Sequence, residues 1–213
     1  GFSSLLNTNV RRELDHLAAF FAAAVHHKQE LRAGFQLLLE PKPCEPTSHQ
    51  YDYDAQTVLG FLHTYGLLEH FKLNIEPNHT TLAGHVFEHD VVFASAFDAL
   101  GSIDANTGAP NLGWDLDRFL VDPSHAAMLM LAVLRHGGLG KGGLNFDAKV
   151  RRESTALEDM FIAHISGMDA LAKGLRCAAA ILEEGELEAL LEQRYKSWEE
   201  EELARRVEAG GPA

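Results

Sequence analysis

The chain has 213 residues, 46% of them apolar and only 8% aromatic, with a formal net charge of −13. That length suits one domain, or one and a half, and an apolar content of mostly Leu, Ala and Val suits packed helices. The negative balance excludes nucleic acid and anionic membrane as electrostatic partners, since both need a positive surface. Along the chain, Val10 to about Arg32 carries Leu14, Leu17, Phe21, Ala24 and Val25 at helical spacing. Phe35 to Glu40 reads as a short buried strand stopped by Pro41 and Pro43. Asp54 to Leu68 is a second helix with Val58, Phe61, Leu62 and Tyr65 on one side. Phe71 to Glu76 is a second strand, ended by Pro77. A helix over Val86–Leu100, a strand over Ser102–Asp104, a helix over Pro123–Arg135 closed by Gly137-Gly138, and a strand over Leu144–Asp147 follow. From Ser154 the character changes. Thr155 and Glu158 can form a capping box for a long helix through Ile181 or Leu182. Gly185 can cap its end, and a charged helix runs from about Glu186 to Val207, with a frayed terminus beyond it.

This alternation of strand and helix implies an α/β fold with a parallel sheet. Strands beginning with Phe35 and Phe71 are largely apolar, as parallel strands buried on both faces tend to be. Cys44 and Cys177 suggest neither a disulfide framework nor a zinc site; two free thiols suit a reducing cytoplasm. No apolar run approaches the length of a membrane span. Residues 1–9 lack the basic and apolar regions of a signal peptide.

Every predicted strand ends in an acid: Glu40, Glu76, Asp104 and Asp147. Taken singly, each could be a helix cap or a surface group. All four in the same structural position point elsewhere, because the C-terminal ends of parallel barrel strands converge on one face. Carboxylates gathered there repel one another unless cations hold them. His79, three residues past Glu76, is on its own an ordinary loop histidine. Asp115-Leu-Asp117 places two acids on one side of an extended loop. His16, His26, His27, His49 and His125 have no partner pattern and read as surface residues. Six carboxylates and one imidazole form an oxygen-rich set that favours Mg2+, Mn2+ or Co2+ over thiolate-bound zinc. If Glu76 bridges, two four-ligand sites follow.

Several runs then resemble one family. Glu40-Pro-Lys-Pro-Cys-Glu-Pro-Thr-Ser-His-Gln-Tyr-Asp-Tyr-Asp54 is similar to the fifth-strand segment of xylose isomerases, in their longer, class II branch. Asn74 to His85 resembles the sixth strand, Gly101 to Asn106 the seventh, Leu112 to Asp117 the loop after it, and Gly142 to Arg152 the eighth. The resemblance implies part of a TIM barrel, strands 5–8 with their helices, over residues 1–153. A final barrel helix and an oligomerisation arm would occupy 154–213. It implies a first divalent cation held by Glu40, Glu76, Asp104 and Asp147, and a second held by Glu76, His79, Asp115 and Asp117. Mg2+ is the expected ion, with Mn2+ or Co2+ as alternatives. Lys42 would donate a hydrogen bond to the sugar carbonyl, and Asp117 would help exchange the proton on the 2-oxygen. The implied reaction is the isomerisation of D-xylose to D-xylulose by a 1,2-hydride shift, in a cytoplasmic homotetramer; the sequence leaves open whether D-glucose is also used.

Family members also carry an N-terminal half with the ring-opening His–Asp pair and the aromatic wall of the sugar pocket, and those features have no match in this sequence. Three functions compete on these grounds. One is an isomerase completed by a further half, another a non-catalytic metal-binding remnant of the family. The third is a related barrel metal enzyme such as an endonuclease or epimerase, which the Lys42 run and the full ligand set oppose.

Overall fold

Side chains alternate across a strand, and that period organises this molecule. A computed structural model describes residues 4–150, 153–199 and 201–210, with the backbone alone at 201–203. Arg151 and Arg152 of the last family-like run, and the end of the chain past residue 210, lie outside these. Helix α1 spans Val10–Glu30, α2 Ala55–Thr64, α3 Pro77–Leu82, α4 His89–Ala96, α5 Pro123–His136, α6 Leu157–Glu184, α7 Glu186–Tyr195 and α8 Glu201–Glu208. Strands are β1 Leu37–Leu39, β2 Phe71–Ile75, β3 Leu100–Asp104, β4 Asn106–Thr107, β5 Arg118–Phe119 and β6 Leu144–Asn145. Among the described residues, β1, β2, β3 and β6 form one sheet in that order, and every neighbouring pair is parallel. The β4–β5 pair is a separate antiparallel ribbon.

One face of the sheet is built from Leu37, Leu39, Phe71, Leu73, Ile75 and Ile103, and it packs with α2, α4 and α5 into a continuous core. Phe21 of α1 joins this core against Phe71 and Phe61, with ring centroids 5.3 and 5.9 Å away. The other face carries Leu38, Lys72, Asn74 and Ser102 and is only partly covered, so burial along β2 alternates strictly. The expectation that the strands beginning at Phe35 and Phe71 are buried on both faces is therefore corrected: β1 is only partly buried and β2 has one buried and one half-open face, whereas β3 is buried throughout.

The helices start and stop where local chemistry allows. Asn9 caps α1 by accepting from the Arg12 amide, Asp54 caps α2 through Thr57, and Asp122 caps α5 through Ser124. Gly137 and Gly185 close α5 and α6 in the left-handed region, at φ 85° and 70°. Other boundaries move. Arg32 and Asp98 have positive φ, so α1 and α4 end before them, and Leu100 belongs to β3 rather than to the preceding helix. Phe35 is exposed, outside a strand of three residues. The Thr155–Glu158 capping box does not form: Ala156 occupies the cap position of α6, and the Ser154 hydroxyl bonds the Ala156 amide and Asp159 instead. The single helix expected over 186–207 is broken into α7, a 3-10 turn at Lys196–Glu199, and α8.

α6 lies along α5 because Gly174 admits the Ala126 backbone; a Cβ at 174 would stand 2.5 Å from the Ala126 carbonyl carbon. Arg135 of α5 then pairs with Glu188 of α7 at 2.7 Å, which folds the start of α7 onto its own chain. At the far side of the sheet, β3 and β6 approach so closely that a Cβ at Gly142 would lie 1.5 Å from the Gly101 carbonyl oxygen, whereas one at Gly143 would meet nothing nearer than 3.7 Å. Gly142→Ala should therefore cost about 1–3 kcal/mol of stability, and Gly143→Ala should stay within about 0.5 kcal/mol of the parent. Urea denaturation of the two variants would check this; equal effects would contradict the close approach.

Candidate metal centre

The half-open face of the sheet leads to its acids. Counting in twos, Leu38 leads to Glu40, Lys72 and Asn74 to Glu76, Ser102 to Asp104, and Asn145 to Asp147, all at C-terminal strand ends. Glu76, Asp104 and Asp147 each offer a ligand atom within 4.8 Å of the others; so do Glu40, Glu76 and His79, and so do Glu76, Asp115 and Asp117. All seven sequence-predicted ligands thus come together, and the buried Glu76 belongs to each group. Glu40 keeps company with His79 as well as with the strand acids: His79 Nδ1 is 3.5 Å from Glu40 Oε1.

His79 was expected on a loop. It sits on α3, because Pro77 occupies the first helical position, where a missing N–H costs nothing. Its Nδ1 bonds the Pro41 carbonyl at 2.9 Å. A carbonyl only accepts, so Nδ1 carries the proton. Nε2 then faces Glu76 Oε1 at 3.2 Å and Asp115 Oδ2 at 3.4 Å. A second bond that settles the ring's tautomer and orientation is the usual arrangement of a metal-binding histidine.

Asp115 and Asp117 sit between the 3-10 turn at Pro110–Leu112 and β5. Asp117 and Asp147 both lie at positive φ, 50° and 37°, a region that costs a residue with a Cβ roughly 1 kcal/mol or more and that clusters at functional sites. Lys42 donates to Asp115 Oδ2 at 2.7 Å and lies 3.6 Å from Glu45. Lys149 donates to Asp117 Oδ2.

Four residues of this centre carried no role in the sequence reading: Lys149 and three asparagines. Asn74 donates to Glu40 Oε2 at 2.7 Å and to Asp104 Oδ2 at 2.6 Å. Asn106 donates to Glu76 Oε1 at 2.9 Å and to the Asp147 carbonyl at 3.0 Å. Asn78 donates to Asp115 Oδ1, and Gly108 is a glycine because a Cβ there would stand 1.8 Å from the Asn78 amide oxygen. The signal for Asn74 was available, since it lies two residues before Glu76 on the same strand. Two histidines assigned to the surface are half-buried: His125 stacks on Phe87 at 4.2 Å, and His49 lines a cavity of about 250 Å³ beside Glu40.

The electrostatics follow from crowding. Burial is the main cause that pushes the Glu76 carboxyl up to about 9; the Asn106 amide opposes it, and the charges of Asp115, Glu40 and Asp117 add to it. Burial also raises Asp117, helped by its bond to Asp115 and opposed by Lys149. Burial would raise Asp115 too, but bonds from His79, Asp117 and Lys42 hold it well below the usual carboxylate range. A carboxyl raised chiefly by its burial, among oxygen donors and one imidazole nitrogen, fits a hard divalent cation.

No family model matches the chain. Individual relatives do. Over 210 residues, 99% of this chain, it is 55% identical to a xylose isomerase of Arabidopsis thaliana and 51% identical to that of Hordeum vulgare, covering 44% of each. The xylose isomerase of Rhodopirellula baltica is 53% identical over the same share of this chain and 48% of its own length. The chain spans somewhat less than half the length of these relatives, and over that span it is similar to the C-terminal part of xylose isomerases.

Proposed function

We propose that this chain is the metal-holding, C-terminal half of a xylose isomerase, and that the whole enzyme converts D-xylose to D-xylulose by moving hydride between C1 and C2. D-glucose is a second candidate substrate. The observation that carries this reading is the convergence of seven ligand groups on one end of a parallel sheet with Glu76 shared. Charge supports two cations: six carboxylates against the Lys42 and Lys149 ammonium groups leave four formal negative charges, the charge of two divalent ions. Glu40, Glu76, Asp104 and Asp147 would hold one, and Glu76, His79, Asp115 and Asp117 the other, with Mg2+ as the native ion and Mn2+ or Co2+ as substitutes. When bound, the cations supply Lewis-acid polarisation of adjacent sugar oxygens. Lys42, held by Asp115, keeps further N–H groups to donate to the carbonyl oxygen as charge builds there. Asp117 serves proton exchange at the neighbouring hydroxyl.

On this reading residues 1–153 are strands 5–8 of a TIM barrel. β1 and β6 are the edges at which the remaining strands pair, and the half-open sheet face is the barrel interior. Residues 154–213 supply the last barrel helix and an arm for homotetramer assembly. Trp198 and Leu190 are 70% and 62% exposed and give the arm its apolar side, while the Arg135–Glu188 pair anchors its start. Among the described residues no helix is long and apolar enough to cross a membrane, and a cytoplasmic location fits the free thiols.

Metal should stabilise the fold in a pH-dependent way. A carboxyl raised above its ordinary 4.5 makes the metal-free fold lose stability as pH rises from about 4.5 towards about 9. A cation at Glu76 removes that loss. Thermal melts should therefore show a Mn2+-dependent gain that grows between about pH 5 and pH 8, and that reaches roughly 2.7 kcal/mol at a hundredfold excess over Kd. Glu76→Gln should weaken both equivalents of metal. A gain that does not vary with pH would count against the crowded-carboxylate account.

Turnover tests the function itself. The 213-residue chain alone, with Mg2+, should convert D-xylose poorly, because four strands do not enclose a barrel site. Mixed with the N-terminal half of the Arabidopsis relative, it should gain at least ~10²-fold, the usual minimum worth of acid–base help. Lys42→Ala should remove most of that gain. Full activity of the chain alone would refute the half-site reading, whereas two-equivalent metal binding without turnover in any mixture would favour a non-catalytic metal-binding protein.

A further inference from the structure

We propose that Asn74 is a positioning residue that sets cation selectivity at the first site, by leaving Glu40 and Asp104 one free oxygen each. This rests on the metal-binding reading above. Asn74 stands on β2 between the strands that carry the two acids, in register with Ser102 of β3. Its amide nitrogen reaches Glu40 Oε2 at 2.7 Å and Asp104 Oδ2 at 2.6 Å. Both N–H groups of one planar amide are thus used, one on each neighbouring strand. Its orientation is fixed by charge, because the flipped amide would set its oxygen against two carboxylates.

The amide oxygen shows what the residue is for. Asn74 Oδ1 is buried and has no hydrogen-bond partner, and the same holds for Oδ1 of the fully buried Asn106, whose nitrogen holds Glu76 Oε1 at 2.9 Å. An orphaned buried acceptor costs stability. Packing alone would be served as well by an apolar side chain, so the unmet oxygen is explained by the two donations. Their chemical consequence is denticity. A carboxylate with one oxygen tied to an amide presents the other oxygen alone. Two such acids, Glu40 and Asp104, favour a small six-coordinate ion such as Mg2+ or Mn2+. Ca2+ needs six to eight oxygens and readily takes carboxylates by both oxygens, so the amides disfavour it.

The test is competition between Mn2+ and Ca2+ for the whole chain, read by calorimetry and by the electron paramagnetic resonance of free Mn2+. The parent should bind two Mn2+ and prefer it to Ca2+ at both sites. Asn74→Ala should narrow the Mn2+/Ca2+ ratio about tenfold at one equivalent, mainly by tighter Ca2+ binding, and leave the other equivalent unchanged. Asn74→Ser, which keeps one donor, should fall between; it also carries the test if circular dichroism shows Asn74→Ala unfolded. An unchanged ratio, or an equal loss of affinity for both ions, would overturn the proposal, since a merely structural residue does not discriminate between them. If the parent binds no Mn2+, the metal-binding reading fails first, and that outcome is distinct from a parent that binds two and variants that do not differ.

Discussion

Glu76 is buried at the meeting point of three strand ends and a helix, within reach of four other carboxylates besides Glu40. Removing a carboxylate from water is costly, and bringing like charges beside it adds to the cost. The protein meets this with every means it has. Lys42 and Lys149 supply positive charge to Asp115 and Asp117, His79 lies against Glu76, and three asparagine amides donate to the carboxylates. The compensation is incomplete, which is why Glu76 holds its proton up to about 9. A structure that only needed stability would place apolar side chains here. The residual negative charge is what the proposed pair of divalent ions would remove.

The scaffold is shaped around that centre. Strand alternation sends Leu73 and Ile75 to the core and Asn74 and Glu76 to the site, so the packing that stabilises β2 also aims its acid. Gly142 lets the chain entering β6 close up on β3, where Asp147 meets Asp104, and Gly101 lets β3 close up on Leu38 and Lys72 of the neighbouring strands. Asp117 and Asp147 accept unfavourable backbone angles, strain that the surrounding hydrogen bonds sustain. Rigidity here comes from close packing and from paired polar groups together.

Much of this was readable in the chain. Short apolar runs ending in acids gave the parallel strands and the convergence of the acids, because both depend on local periodicity and on one general property of parallel sheets. What escaped depended on tertiary partners. Pro77 reads equally as a strand stop or as a helix start, and only the buried setting of α3 decides between them. The Thr155–Glu158 pattern lost to Ser154, whose hydroxyl reaches the Ala156 amide first. The β4–β5 ribbon, two residues on each side, has no period long enough to detect. Lys149 is an ordinary lysine until the turn after Asp147 brings it to Asp117, and the Lys149 amide bonds the Asp117 carbonyl as well.

The same sheet separates two tasks. Holding cations needs only the strand ends, α3 and the 115–117 loop, all within this chain and all tied to its core. On the proposed function, enclosing a sugar would need walls on the other side of the acid cluster, and there the sheet face is half open, with Leu38 exposed beside Lys72 and Asn74. α6 adds to this: Phe161, Ile165 and Met168 are 64%, 58% and 62% exposed on a helix whose opposite side is packed on α5. Large apolar side chains repeated along one helix face call for a covering surface. Among the described residues, an open sheet face, sheet edges at β1 and β6 and an uncovered helix face are together what the proposed partial barrel would present. The ligand geometry is therefore set by this half of the proposed enzyme, and water exclusion and substrate shape by the part that would cover it.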